Sequence, residues 1–488
     1  MLFTTAAFAC LYLPVVLIAF FTIGRFSNHL AAIWLFLASL IFYGVWKPMF
    51  VGLLLASIVG NYLIGLRIAG AGVGSLRARR WLVLGVTLNL GVLAYFKYAN
   101  FFADNVYRLF GLHWQLAKIA LPIGISFFTF TQIAFLADSY LKGVREVRFS
   151  HYGLFVTYFP HLVAGPVLHH AQMMPQFREA STYRWNGSNL SAGLAIFAIG
   201  LVKKLVLADG VSPYADAVFD PVDLGALPSM AEAWLGALAY TGQIYFDFSG
   251  YSDMAIGLSL MFNVVLPFNF DSPYKSRSIS DFWRRWHISL SSFLRDYLYI
   301  ALGGNRRGAA RRYANLTTTM LLGGLWHGAS WSFVIWGGLH GAYLMANHGW
   351  RAFWGPPRKG PSALSRVGAW ALTMLAVIVA WVFFRAKTLE GALNMLRAML
   401  SLQEQPIDRH LWQAGLQWQV GMSWCLGLGL IAVLAPNSNA IGQRLRALCA
   451  NHDTFRAVCA GAAITSTLLL ILLGTTRSGA SAFIYFNF

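Results

Sequence analysis

Charge is scarce in this sequence. Only 11% of its 488 residues are Asp, Glu, Lys or Arg, whereas about 25% is usual in soluble globular domains. Hydrophobic residues make up 57% of the chain. This composition excludes an ordinary soluble domain and predicts a polytopic protein whose main solvent is the lipid bilayer.

Acidic residues are the rarer kind of charge. The chain has 18 Asp and Glu against 37 Lys and Arg, a formal net charge of +19. Such an excess can bind nucleic acid, but here the basic residues gather in short stretches between apolar runs, as the positive-inside rule describes. We therefore predict no nucleic-acid partner. The arginine-rich stretch 67–80 is predicted to face the cytoplasm, which places the N-terminus outside after three spans.

Cysteine is also sparse in this sequence. The four cysteines form no C-x-x-C pair and no Cys/His metal spacing, so we expect small core residues and no metal site. The N-terminus lacks a basic n-region and a cleavage site, so 2–24 is predicted to remain as a first span. No repeat or separable soluble region is visible. A single membrane domain over 1–488 is predicted, with a catalytic core at about 119–345.

Long apolar runs are what the sequence has instead. They predict an all-α polytopic fold of roughly eleven transmembrane helices with re-entrant and interfacial helices. The uninterrupted candidates are 2–24, 29–46, 48–66, 81–96, 119–137, 313–339, 367–384, 411–436 and 457–476. Less regular candidates, interrupted by Pro, Gly, Lys or Asp, are 151–168, 190–209 and 231–266. Polar groups at membrane depth persist only inside protein or beside a water-filled cavity, so the interrupted runs draw the most interest.

The stretch 281–343 contains two histidines in unusual settings. A helical wheel from Trp283 to Tyr297 gives one apolar face and basic sides, with His287 at the edge of the apolar face, which predicts a helix that lies in a membrane interface or against a membrane-protein core. The following run, 313–339, has no Asp, Glu, Lys or Arg and carries His327 in its middle. An ionisable side chain at such depth is costly, which favours a functional role.

Imidazole suits one kind of chemistry in particular. Near neutral pH it can take the proton of a hydroxyl that attacks a carbonyl, as acyl transfer requires. His327 is flanked by Trp326 and Gly328, and His287 by Arg284 and Arg285, whose charge suits a phosphorylated donor. The alternative is a pair of histidines that are buried and bonded to backbone carbonyls. We predict that both belong to one active site.

Three other stretches carry polar groups or chain breaks. Asp247 and Asp253, in the run 245–253, predict either the lining of a substrate tunnel or a buried network that pins two helix halves together; the network is the favoured interpretation. The segment 159–166, with two prolines and a glycine, predicts a re-entrant or interfacial turn. The aromatic tail 482–488 predicts an interfacial anchor, or a segment that returns to the cavity.

Several motifs together resemble a known family. They are DFWRRWHISLSSFLRDYLYI, LLGGLWHGASW, YFDFSGYSDMAIG, FPHLVAGPV and LPIGISFFTF. The sequence resembles the membrane-bound O-acyltransferase (MBOAT) family, and within it the integral membrane subunit of bacterial alginate O-acetyltransferases. The likeness covers about 61–386 and the last six residues. It implies a ring of helices around a funnel, with His327 as the essential catalytic residue and His287 as its partner on the same tunnel.

The resemblance also suggests a path for the acyl group. The C-terminal F-I-Y-F-x-F pattern is similar to that of relatives that pass acyl groups out of the cell, which implies that Tyr485 holds the acyl group in transit. The residues expected to bind donor or substrate are Trp283, Arg284, Arg285, Trp326, Asp247, Tyr251 and Asp253. A periplasmic SGNH-like acetyltransferase partner is expected, because the chain has no serine elbow of its own.

The predicted function is an inner-membrane O-acetyltransferase. It moves acetyl groups from a cytoplasmic donor, acetyl-CoA or another thioester, to an exported polysaccharide. The machinery that exports this polysaccharide is an expected partner. Alginate is the first choice of polymer, with cellulose or peptidoglycan as alternatives, and no tightly bound cofactor and no metal is expected. A transporter with a relay of His327, Asp247 and Asp253 is the rival from another class, but it predicts inverted repeats that are not seen. A structural subunit of an export complex is a third alternative.

Overall fold

All the regular structure in the described chain is helical. The computed structural model describes residues 2–111, 117–163, 165–355, 362–401, 409–476 and 483–484, and no strand occurs among them. Helices satisfy their backbone groups internally, as lipid requires. The all-α polytopic prediction is confirmed.

Twenty-two α-helices follow one another along the described residues. The first eleven are α1 (Leu13–Gly24), α2 (Asn28–Gly44), α3 (Met49–Ala71), α4 (Leu76–Leu93), α5 (Ala99–Phe110), α6 (Ile125–Lys142), α7 (Phe149–Thr157), α8 (Phe159–Leu162), α9 (His170–Met173), α10 (Gly187–Leu201) and α11 (Asp209–Asp223). The others are α12 (Met230–Met261), α13 (Ile279–Arg285), α14 (Ile288–Phe293), α15 (Gly308–His327), α16 (Trp331–Trp354), α17 (Ala363–Arg385), α18 (Leu389–Met399), α19 (Arg409–Gln413), α20 (Trp418–Leu434), α21 (Ser438–Asn451) and α22 (Asp453–Thr476). Short π-helical segments occur at Ala7–Tyr12, Ala94–Tyr98, Val202–Ala208 and Leu294–Tyr299.

Several of these helices are long and apolar enough to cross a bilayer. Among the described residues six helical stretches qualify: Ala7–Gly24, Met49–Ala71, Leu76–Phe110, Gly187–Asp223, Ala363–Arg385 and Asp453–Gly474. The pair α20 and α21, bent by 58°, makes a seventh if it is one span. Other predicted spans, such as 231–266 and 313–339, correspond to α12, α15 and α16, which are not among these stretches.

The chain divides into two compact units. The first contains 1–201, 251–268 and 438–482, and the second contains 202–250, 269–437 and 483–488. In the first unit α3 and α4 pack on α6, and α10 packs on α21 and α22. In the second unit α15 packs on α16, and α16 packs on α17. The single domain predicted from the sequence stays a prediction.

The predicted amphipathic helix over 283–297 is wrong as a continuous helix. α13 ends at Arg285, and His287 adopts a left-handed conformation with φ 45° before α14 begins. The backbone groups freed by this break are paired with the segment before it: Asp271 N–H donates to Arg285 O at 2.9 Å, and Ile288 N–H donates to Asn269 O at 2.9 Å. A helical wheel cannot anticipate such a partner.

Two further expectations about helix continuity are corrected. His327 does not lie in the middle of a span, because α15 ends at His327 and the chain turns before α16 begins at Trp331. The run 231–266 was expected to be interrupted near Asp247, but α12 is one helix of 32 residues. Asp247 fits within it because its carboxylate meets Lys204 Nζ at 2.6 Å.

Candidate active site around two histidines

Two glycines bring α15 and α16 together next to His327. A Cβ atom added at Gly324 would lie 2.2 Å from Phe333 O, and one added at Gly337 would lie 2.3 Å from Met320 O. No side chain fits at either position, so the two helices approach more closely than other residues would allow. The hairpin thereby holds the end of α15, and with it His327, against the first turns of α16.

Aromatic rings surround His327. Its ring centroid lies 4.8 Å from that of Trp326, 5.0 Å from that of Trp336 and 5.1 Å from that of Phe384. The residue is 3% exposed. The rings are rigid walls that place the imidazole in an apolar setting, where an electrostatic or hydrogen-bonding interaction is stronger than in water.

A polar clamp holds His287. The side-chain oxygen of Asn269 receives the Nδ1–H of His287 at 3.1 Å, the backbone N–H of Ser289 at 3.2 Å and the Ser289 hydroxyl at 2.9 Å. His287 is fully buried. Its left-handed backbone costs about 1 kcal/mol for a residue with a Cβ. The clamp therefore fixes both the backbone and the ring of His287.

This clamp also determines which ring nitrogen of His287 carries the proton. A backbone N–H can only donate, so the Ser289 N–H fixes the oxygen of the Asn269 amide on the side that faces His287. His287 must then donate from Nδ1, which leaves the lone pair on Nε2. Burial lowers the pKa of His287 to about 3, so the ring is neutral near pH 7. A neutral ring with an unprotonated Nε2 is the form that a general base needs.

Trp326 is the common neighbour of the two histidines. Its ring centroid lies 6.1 Å from that of His287 and 4.8 Å from that of His327. The structure thus brings both predicted histidines to one indole, although His287 lies in the break between α13 and α14 and His327 ends α15. We call His287, Trp326, His327 and Asn269 the histidine site. The catalytic roles predicted for its members stay predictions.

The described part of the C-terminal tail lies next to this site. Phe248 packs edge-on against His287 with centroids 4.8 Å apart, and Phe483 lies 5.6 Å from Phe248. The backbone N–H of Ile484 donates to Asp247 Oδ2 at 2.9 Å. Lys204 holds the same carboxylate and also contacts Asp209 at 2.8 Å. Tyr485 itself lies outside the described residues.

The residues predicted to hold the donor have varied surroundings. Trp283 donates from Nε1 to His340 Nδ1 at 3.3 Å. Arg285 contacts two carboxylates, Asp281 at 3.1 Å and Asp271 at 3.6 Å, so much of its charge is neutralised. Arg284 is exposed and makes no ion pair with any described residue. Of the two arginines, Arg284 is thus the one left to meet an anionic donor.

Two predicted lining residues belong to the first unit. Tyr251 stacks on Phe3 with centroids 5.0 Å apart, and Asp253 accepts a hydrogen bond from the Ser438 hydroxyl at 3.2 Å. Asp247 belongs to the second unit. The motif 245–253 lies in one continuous helix, α12, and its polar residues belong to both units. The network interpretation, in contrast, assumed two helix halves.

Three features were not predicted from the sequence: the contact of Asn269 with His287, the ion pair of Lys204 with Asp247 and the burial of His340. Asn269 stands between two phenylalanines in the run Phe268-Asn-Phe270, and a lone amide in such a run was an available signal. His340 follows Trp336 at helical spacing, and their ring centroids lie 4.8 Å apart. Lys204 was noted only as a lysine that interrupts the apolar run 190–209, because its partner Asp247 lies on another helix.

Comparison with known proteins agrees with the resemblance. Residues 77–386 match the membrane-bound O-acyltransferase family. The peptidoglycan O-acetyltransferase of Helicobacter pylori is 43% identical over 82% of this chain and 80% of its own length. The probable alginate O-acetylase of Azotobacter vinelandii is 46% identical over 82% of this chain and 78% of its own length. The protein with the same description in Pseudomonas aeruginosa is 45% identical over 82% of this chain and 75% of its own length.

The matched region contains the whole histidine site and the helices that position it. The prediction of a multi-pass inner-membrane O-acetyltransferase is confirmed by the family match, by these relatives and by the apolar helices. The chain belongs to the membrane-bound O-acyltransferase family.

Proposed function

We propose that this protein moves acetyl groups from a cytoplasmic thioester across the inner membrane for O-acetylation of exported alginate. Five of the relatives, each 42–46% identical, are described as probable alginate O-acetylases. The Helicobacter pylori relative acts on peptidoglycan by its description, so peptidoglycan is the alternative polymer. The observation that carries the chemistry is the pair of buried histidines that both lie next to Trp326.

The reaction requires one base and a site that excludes water. A hydroxyl attacks the carbonyl carbon of the thioester while a base takes its proton. The C–O bond forms, the C–S bond breaks, and the thiolate receives a proton as it leaves. We assign the base role to His327. His287, whose Nε2 carries the lone pair, orients donor or acceptor from the basic side.

Acetyl-CoA is the proposed donor. Its thioester is an activated acyl group that a hydroxyl can attack. The transfer needs no redox or metal chemistry, so no tightly bound cofactor is included in the proposal. The exposed guanidinium of Arg284 suits the donor phosphates. Trp283 is half-buried beside it and is held by His340, which suits a wall at the donor entrance.

Tyr485 is the proposed carrier of the acetyl group. The residue before it, Ile484, is bonded through its backbone N–H to Asp247, and Phe483 packs on the aromatic ring that covers His287. A phenolic oxygen that follows this segment can accept the acetyl group as an ester. A periplasmic SGNH-like acetyltransferase then removes it and passes it to the polysaccharide.

Labelled acetyl-CoA tests the enzyme proposal directly. Purified protein in lipid nanodiscs should release free thiol and retain label, and His327→Ala should slow thiol release by at least about 100-fold. His348→Ala is the matched control, because it removes a half-buried histidine of α16 outside the site. Both variants must elute as folded protein. No turnover by the wild type would overturn the proposal, and unchanged turnover in His327→Ala would assign the base role elsewhere.

The carrier and the polymer are tested separately. Tyr485→Phe removes the accepting hydroxyl, so it should neither release thiol nor retain label, whereas Phe483→Leu should still do both. Expression in an alginate-producing bacterium that lacks its own O-acetylase should restore acetyl esters on alginate. Esters on peptidoglycan alone would assign the alternative polymer.

A further inference from the structure

The first unit contains a basic cavity that the acyl-transfer chemistry does not use. Its volume is about 520 Å³. The lining side chains that carry the inference are Asn28, His29, Arg145, Arg148, His151 and Arg178. We call this space the basic cavity.

Two helices begin at the basic cavity. α2, of 17 residues, starts with Asn28 and His29, and α7, of 9 residues, starts just after Arg148. The rings of His29 and His151 have centroids 6.2 Å apart, so the two helix starts meet there. The first N–H groups of a helix have no acceptor within it, and together with the helix dipole they attract anions.

The cavity also carries unneutralised positive charge. Arg178 is paired with Glu146 at 3.2 Å, but Arg145 and Arg148 make no side-chain ion pair with any residue that the structure describes. Guanidinium groups are the preferred partners of phosphate oxygens, which they bind in a bidentate manner. Two free guanidiniums in one cavity therefore favour an anion with several oxygens.

The single carboxylate of the cavity does not cancel this charge. Burial disfavours the ionised form of Glu146, but hydrogen bonds from His170, the Arg148 backbone N–H and Arg178 outweigh it and lower its pKa to about 2. Glu146 is 4% exposed. Its charge is thus used to hold Arg178 and His170 in place, at the wall of the cavity.

His151 supplies a second, independent indication of a ligand. It is 4% exposed and lines the cavity. Its ring makes no hydrogen bond with any described residue, and the Glu146 carboxylate oxygen lies 4.0 Å from its Nδ1. Buried polar groups normally have partners, so an imidazole that faces a cavity without one points to a bound group.

The cavity lies on the predicted cytoplasmic side. The segment 143–148 follows α6, and Gly74 N–H donates to Tyr140 O at 3.3 Å. This contact places the end of α6 beside the loop within the arginine-rich stretch 67–80, which is the stretch predicted to face the cytoplasm.

We infer that the basic cavity binds a phosphate ester at the cytoplasmic surface. The ligand is either the head group of an anionic phospholipid or the phosphates of a soluble molecule such as coenzyme A. Two helix N-termini, the guanidiniums of Arg145 and Arg148 and the imidazole of His151 supply its donors. The basic cavity shares no lining residue with the histidine site, and its test compares variants of the cavity residues with a matched control, so it does not depend on the function proposed above.

Two probes distinguish the sources of the phosphate. The full-length protein is incubated with mixed phosphatidylglycerol and phosphatidylcholine vesicles, and retained lipid is measured by native mass spectrometry. In parallel, coenzyme A is titrated calorimetrically into protein in phosphatidylcholine nanodiscs. The double variant Arg145→Gln/Arg148→Gln should weaken one of these interactions by at least about ten-fold, because it removes two charge-assisted contacts.

The matched control removes two exposed arginines from the same predicted face. Arg77→Gln/Arg79→Gln lies on α4 outside the cavity, and its affinity should stay within about two-fold of wild type. Loss of lipid retention alone identifies a head group, and loss of coenzyme A binding alone identifies a soluble phosphate. Equal losses in the two double variants would reduce the effect to general surface charge and overturn the inference. Unaltered binding of both probes would overturn it as well.

A third variant separates binding from folding. Arg148→Lys keeps the charge and loses the fork of donors, so it should bind with intermediate affinity. If Arg145→Gln/Arg148→Gln does not elute as folded protein, Arg148→Lys and His151→Asn are measured instead. Wild-type affinity in both would then refute a built site.

Discussion

Histidine is used in opposite ways in the two units. In the histidine site, His287 and His327 lie among indole and phenyl rings, and the polar contacts shown there belong to Asn269 and Ser289. In the basic cavity, His29 and His151 lie among arginines and the carboxylate of Glu146, which also contacts His170. Aromatic surroundings keep an imidazole neutral and strengthen a single proton transfer. Ionic surroundings suit a binding site, because their charges are fixed near neutral pH. The difference teaches that the neighbours, and not the histidine, decide its chemistry.

The largest effect should appear when one histidine of each group is replaced by alanine and the two losses of activity are compared. His327→Ala should slow acetyl transfer by at least about 100-fold, whereas His170→Ala should slow it less than about three-fold. Both rates are measured as thiol release from acetyl-CoA at saturating substrate. Comparable losses in the two variants would erase the distinction between the two clusters.

A smaller effect should follow from removing the clamp on His287. Asn269→Ala deletes the acceptor that fixes the His287 tautomer, so transfer should fall by roughly 10- to 100-fold, mainly in kcat. Ser289→Ala removes only the hydroxyl and keeps the backbone N–H, so its loss should stay within about three-fold. The pH–rate profile should change shape in Asn269→Ala alone. An unaltered profile and rate would remove Asn269 from the site.

The hydrogen bond from the Ile484 N–H to Asp247, which we call the tail anchor, should be detected by epistasis. Asp247→Ala should lower transfer by about ten-fold, because it removes the acceptor of the Ile484 N–H. Truncation before Phe483 should lower transfer at least as much. If the anchor acts through the tail, the two changes combined should be no worse than the truncation alone.

Two outcomes bear on this anchor. Asp216→Asn is the control, because it weakens the ion pair with Arg385 on the same unit and leaves the tail untouched. It should transfer acetyl groups at close to the wild-type rate. Additive losses from Asp247→Ala and the truncation would show that Asp247 acts independently of the tail.

The smallest effect concerns stability in the basic cavity. The pKa of Glu146 is lowered from 4.5 to about 2, so its ionised form stabilises the fold above pH 4.5, and this contribution is lost as the pH falls toward 2. Glu146→Gln should therefore lower the Tm at pH 7 by about 2 °C. The difference from wild type should shrink as the pH is lowered. A difference that grows on acidification would contradict the ionic role of Glu146.

The sequence allowed the fold class, the family and the two histidines to be predicted for physical reasons. Charge is so sparse in 313–339 that a single imidazole there was conspicuous, and apolar length alone predicted the spans 48–66 and 367–384, which correspond to Met49–Ala71 and Ala363–Arg385. These are local signals, because bilayer thickness and the cost of burial act on each segment separately.

What could not be predicted depends on distant partners. The break at His287 is stabilised by the segment around Asn269, and the continuity of α12 depends on Lys204. A helical wheel contains neither partner, so it extended one helix and interrupted the other. The basic cavity was missed for the same reason, since α2 and α7 are far apart in the chain and each helix start looks ordinary alone.

The left-handed backbone at His287 favours glycine, whereas the proposed chemistry requires the imidazole. Glycine adopts this conformation without penalty, so replacing His287 with glycine relieves the backbone, while replacing it with alanine does not. A glycine variant would thus be the better-folded but inactive protein, with an imidazole-shaped hole beside Phe248. Small imidazoles supplied in solution would be the natural molecules to refill that hole, and restored turnover would turn a strained residue into a chemically controlled switch.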